Sequence, residues 1–210
     1  MATRLRIVAA DDWLMTAAVD GRNLFFNTQF FNAMGNKEIE FVIAHEILHL
    51  VFDHLGRRDK RHPKIYNIAA DYKVNNTLVR DRIGEKPKIV DCFQDFKYES
   101  WTSEEIYDEI YETAKKNGEE FLKELGEMPD EHLDPEGEEG EEGADQEGKD
   151  KNGNNVSKGK PKYSKEEIAK IKDEIKEGML QAAQSAGAGN VPGEVARLIQ
   201  QLTEPKMNWR

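Results

Sequence analysis

The chain has a single cysteine, Cys92, among its 210 residues. One thiol excludes an internal disulfide framework and suits a reducing compartment, so a cytoplasmic protein is expected. Long apolar runs are missing too. The apolar stretch at residues 7–10 stops at Asp11 and Asp12, too short for the core of a signal peptide. Nothing approaches the roughly 18 apolar residues of a membrane span. Hydrophobic residues make up only 38% of the chain against 34% charged, which leaves part of the sequence outside any core. A basic stripe is also absent. The net charge is −11, and the twelve acids and one base of residues 127–150 already account for it. The remainder is neutral, so neither a nucleic-acid nor a membrane partner is expected.

What is present reads as short strands followed by helices. Residues 16–19 and 23–26 are apolar runs around Asp20-Gly21, a dipeptide suited to a tight hairpin. Asn36 has the character of an N-cap, and apolar residues then recur at Ile39, Val42, Ile43, Leu50 and Val51 up to Gly56. This pattern predicts a helix of about five turns, apolar nearly all round and therefore buried. A second helix is expected over 65–78. Thr102 with Glu105 has the form of a capping box opening a helix to about residue 125, and Ser164 with Glu167 opens another to about 186. Pro192 suits the first turn of a last helix through 202. Three regions result: a core over 1–125, an acidic Gly/Glu-rich linker over 126–162 expected to be disordered, and a helical segment over 163–210 that packs on the core.

The chemistry concentrates on the first long helix. His45-Glu46-Ile47-Leu48-His49 has the H-E-x-x-H spacing. Residues four apart on a helix differ by only about 40°, so His45 and His49 point the same way from adjacent turns and can share one Zn²⁺. Glu46 is turned roughly 100° from His45 and can serve as general base without being a ligand. Two buried imidazoles and a carboxylate among Ile43, Ala44, Ile47, Leu48 and Leu50 would be costly without a purpose. A catalytic zinc needs a third protein ligand. Asp71 is the better candidate, because Ala69 and Ala70 beside it allow two helices to approach closely. His54 is the alternative, but it lies five residues beyond His49, and no glycine between them breaks the helix. Asn67 and Asn75 flank Asp71 on one face and can orient ligands. Asp53 shares the His49 face, yet lies about 12 Å along the axis from His45 and suits a surface or supporting role. Tyr72 and His62 are candidate hydrogen-bond donors to a developing oxyanion.

The run FVIAHEILHLVFDHLGRR, followed by YNIAADYKVN, resembles the metallopeptidase domain of bacterial and phage proteins that end in a VWA-like domain. The segments VDGRNLFFN, SEEIYDEI and AAQSAGAGNVPGEVARLIQQLTEPKMNWR agree, so the resemblance spans nearly everything except the acidic tract. It implies an α+β, zincin-like fold, with a small β-sheet packed on an active-site helix and a mostly helical C-terminal part. It also implies Zn²⁺ as cofactor and a peptide or protein substrate, with His45, His49 and Asp71 as ligands and Glu46 as base. By analogy with that fold, a substrate strand is expected to pair with a sheet edge at Asn23–Phe26. Family members usually continue past Trp209-Arg210 into the VWA-like domain, whereas this sequence ends there without that domain's Asp-x-Ser-x-Ser motif. A protein partner acting through that second domain is therefore expected to lie outside this sequence. A different class of function is a zinc-binding interaction or regulatory module with little proteolysis.

Overall fold

The computed structural model describes residues 4–117, 147–149, 155–157, 163–187, 191 and 193–203. Three short strands open the chain: β1 (Arg6–Ala9), β2 (Ala17–Val19) and β3 (Asn23–Phe26). The expected hairpin is formed. β2 and β3 pair antiparallel, with Ala17 opposite Phe26 and Val19 opposite Leu24. Its turn is held by Asp20, whose carboxylate accepts the backbone N–H of Arg22 at 2.8 Å and of Asn23 at 2.7 Å. Gly21 in that turn takes a φ of +94°, which a side chain would resist. β1 adds parallel to β3 on its other side, so β3 is flanked on both edges. The substrate edge expected at Asn23–Phe26 is thus already occupied. Two further strands, β4 (Glu147–Lys149) and β5 (Asn155–Ser157), pair with each other and extend the order to β2-β3-β1-β5-β4. They fall within the tract read as disordered, most of which lies outside the described residues.

The helices are α1 (Thr28–Asn32), α2 (Asn36–Val51), α3 (His54–Arg57), α4 (Pro63–Arg80), α5 (Ser103–Asn117), α6 (Lys165–Ala186) and α7 (Gly193–Thr203), with a 3₁₀ turn at Phe96–Tyr98. Alternation along β3 divides the core. Leu24 packs with Val19 and Leu50 between sheet and α2, while Phe25 packs with Val8, Leu14 and Ala18 on the opposite face. Both capping boxes anticipated for α5 and α6 are made, with Thr102 N–H to Glu105 at 2.8 Å and Ser164 N–H to Glu167 at 2.9 Å. Accepting these N–H groups holds both carboxyls below their ordinary range. The stretch expected to carry the α5 helix on to 125 lies outside the described residues. The N-terminus of α2 differs from expectation: Gly35, not Asn36, stands at the cap, and Glu38 reaches back to its N–H at 2.8 Å. Among the described residues, no helix is long and apolar enough to cross a membrane.

The end of α2 is the most informative departure. The helix does not run to Gly56; it stops at Val51, and Asp53 adopts φ +52°, ψ +40°. Aspartate is one of the few residues besides glycine that enters this left-handed region with modest strain. The break starts a new turn at His54. α4 then runs from Pro63, whose fixed φ suits a first turn, and buries both Ala69 and Ala70. α6 returns to the hairpin, where the Tyr163 hydroxyl donates to Asp20 at 2.7 Å and Ile175 joins the Leu50 cluster.

The loop from 81 to 95 is pinned to two helices. Glu38 accepts the Lys88 N–H at 2.9 Å, and the Glu85 N–H donates to Lys37 O at 2.9 Å. Further along, Asn75 and Asn76 of α4 donate to Phe93 O at 2.9 Å and Asp95 O at 2.8 Å. Gly84 makes this crossing possible. Its φ is +63°, and an added Cβ would stand 2.6 Å from both Lys37 O and Phe41 N. Backbone cannot yield as a side-chain tip can, so Gly84→Ala is expected to lower stability by about 2–4 kcal/mol, from left-handed strain plus the clash. Urea denaturation should show the midpoint falling with an unchanged slope.

Candidate metal centre

The polar residues of α2 and α4 meet where the two helices cross. His45, Glu46 and His49 are 7%, 1% and 3% exposed, and Asp71 is 2% exposed. Their burial follows from position: the α2 face that carries the histidines looks at α4, and Phe41, Leu48 and Phe52 pack with Val74 and Leu78 of α4 around them, whereas Ala69 packs on α5 with Ile106 and Ile110. His45 Nε2 lies 3.0 Å from His49 Nε2. Asp71 Oδ1 lies 3.4 Å from the first and 3.2 Å from the second. Ligand atoms of these three residues therefore converge on one point, and the group could hold a metal ion.

The separations test that fit. Ligands bonded at about 2.0–2.1 Å with tetrahedral angles stand roughly 3.3 Å from one another. The observed 3.0, 3.4 and 3.2 Å surround that value. The donor set suits the same conclusion, because two imidazoles and one carboxylate are a set that divalent transition metals take, and they leave a position for solvent. Lone pairs this close, in a site this dry, repel one another unless a metal ion or a shared proton lies among them.

The two imidazoles are held from behind. His45 Nδ1 is 2.9 Å from Asn75 Oδ1, so the amide acts on the ring as the sequence suggested. The same amide donates to Phe93 O, which fixes its orientation. Asn67, on the same helix face, is half-buried and is not bonded to either histidine. His54 is brought back towards the site by the break at Asp53, but not to the ligand point. Its Nδ1 lies 3.1 Å from His49 Nδ1, on the far side of that ring, and its Nε2 lies 2.8 Å from Ser103 Oγ. The third converging ligand atom is thus Asp71's and not His54's. Sequence reasoning missed Ser103, since a serine at the start of a helix looks like an ordinary helix-end residue. It also missed Asn76, whose amide anchors the loop.

Other candidates fall elsewhere. Tyr72 packs against Phe93 and Tyr98, with ring centroids 5.2 and 5.0 Å away, and burial pushes its phenol up. His62 is exposed at the start of α4, where its backbone N–H donates to the Tyr107 hydroxyl. Asp53 caps α3 and pairs at 3.9 Å with Lys172. Beside the cluster is a cavity of about 50 Å³, whose lining includes Thr16, Ala17, His45, Glu46, Asp71 and Cys92. Glu46 is thereby placed next to the converging ligand atoms without being one of them.

Comparison with known proteins agrees with this geometry at the level of family. No curated protein and no solved structure matches the chain. The model of one family matches residues 1–210, and its description is "Putative metallopeptidase domain". A match of that extent, over a chain that folds two histidines and an aspartate onto one point, places this protein in that metallopeptidase-domain family.

Proposed function

We propose that this protein is a zinc-dependent peptidase of zincin-like fold, with His45, His49 and Asp71 holding the ion and Glu46 as general base. The observation that carries the reading is the convergence of two imidazole nitrogens and one carboxylate oxygen within 3.0–3.4 Å of one another. Bound there, zinc supplies Lewis acidity and lowers the pKa of water. The chain's own residues do the rest. Glu46 takes a proton at its carboxylate and returns it to the departing amine. Asn75 keeps the His45 ring in one orientation. β2 stands at the end of the sheet order, and Thr16 and Ala17 line the cavity. A peptide laid along β2 would therefore reach Glu46, in place of the pairing expected at Asn23–Phe26. The compartment is read as cytoplasmic from the lone Cys92, and a protein partner through a following VWA-like domain stays part of this proposal.

One observation favours a second reading. A cavity of about 50 Å³ admits a few waters rather than a peptide. A zinc-bearing interaction module with little proteolysis would need no more. Glu46→Gln separates the two. Under the peptidase reading it keeps one zinc per chain while cleavage of a denatured protein substrate falls about 10²–10⁴-fold. Cleavage that is absent from wild type, or unchanged in the variant, would favour the module.

Removal of the ion tests the ligand set directly. Asp71→Ala should abolish stoichiometric zinc, and chelation of the wild type should lower its melting temperature. Zinc at a thousandfold excess over its Kd contributes about 4 kcal/mol to the native state. A melting temperature indifferent to chelator and zinc would contradict the assignment.

A further inference from the structure

We infer that His54 and Ser103 form a hydrogen-bonded relay that fixes the ring of His49, making both positioning residues for the metal centre. The inference rests on the metal reading above and extends it to two residues that reading leaves out. The chemistry of an imidazole sets the direction of every bond in the chain. For His49 Nε2 to offer a lone pair at the point where His45 Nε2 and Asp71 Oδ1 also converge, its proton must sit on Nδ1. That N–H faces His54 Nδ1 at 3.1 Å, which must then accept. A neutral His54 that accepts at Nδ1 carries its own proton on Nε2, and donates it to Ser103 Oγ at 2.8 Å. One tautomer per ring satisfies the whole series. On the other ligand, the His45 Nδ1–H donates to Asn75 Oδ1 at 2.9 Å, so both ligands present Nε2 with Nδ1 anchored.

The relay is buried and built from three elements. His54 and Ser103 are 4% and 2% exposed. His54 stands edge-on to the Tyr66 ring, 6.2 Å between centroids, and the Tyr66 phenol is pushed well up by burial and stays neutral. Beside it Arg57 meets Glu104 at 2.6 Å, which ties α3 to α5 one residue beyond Ser103. Ser103 itself is the first residue of α5, set by the Thr102–Glu105 capping box. The Asp53 break is what turns His54 inward, so the strained residue and the relay are parts of one arrangement.

Partners that hold the second nitrogen of a ligating histidine typically contribute 10–100-fold in metal affinity. The test is zinc affinity of the full chain by competition with a chromophoric chelator, alongside ¹⁵N spectra of labelled histidines. His54→Phe should bind one zinc 10–100-fold more weakly. His54→Asn, which returns an acceptor near the Nδ1 position, should recover most of that loss. Ser103→Ala removes one oxygen and spares the packing, so it should weaken zinc several-fold even if His54→Phe folds poorly. The wild-type spectra should show the proton on His49 Nδ1 and a nitrogen–nitrogen coupling across the bond to His54. Wild-type affinity in both His54→Phe and Ser103→Ala overturns the relay. So does loss of zinc in His54→Phe as complete as in Asp71→Ala, which would make His54 a ligand. Absence of zinc from the wild type would instead defeat the metal reading, and the coupling in the metal-free protein would still decide whether the relay exists.

Discussion

Packing two helices close enough for their polar side chains to share one point is the constraint on which the structure depends. Phe41, Leu48 and Phe52 packed on Val74 and Leu78 hold the two helices together. Loosening that cluster would separate α2 from α4 and move Asp71 away from the histidine pair. The closeness has a cost, because His45, Glu46, His49 and Asp71 all leave water together. A cation among the converging atoms turns that cost into a favourable interaction. Much of the remaining architecture then appears as support: the sheet backs α2 through Leu50, and the loop ending near Asp95 is fastened by Asn75 and Asn76.

The facing of His45 and His49 was legible in the sequence because it obeys a helical period. His45 and His49 lie four apart, and that spacing alone fixes their common direction. Asp71 was expected from the two alanines before it, but Ala69 packs on α5 with Ile106 and Ile110, so that reasoning does not account for its place beside the histidines. The hairpin and both later capping boxes were equally readable, being local patterns in which one short segment satisfies its own backbone.

What escaped the sequence was non-local, or hinged on a single unusual dihedral. The end of α2 at Val51 depends on Asp53 entering the left-handed region, and no neighbouring residue announces it. Reading the helix through to Gly56 left His54 pointing away and hid its bond to His49. The place of β3 inside the sheet was missed because β1 is a run of four residues with mixed exposure, too weak to read as a partner strand. Ser103 is 49 residues from His54, and a contact at that separation leaves no periodic trace.

Zinc-edge X-ray absorption of the purified chain addresses the central claim most directly, because it counts the ion and identifies the atoms bound to it. The account predicts one zinc per chain in a shell of nitrogen and oxygen at about 2.0–2.1 Å, with the multiple scattering of two imidazoles and no sulfur. Zinc-replete protein without the ion would contradict it, as would a sulfur neighbour at about 2.3 Å, the signature of Cys92 taking the place assigned to Asp71.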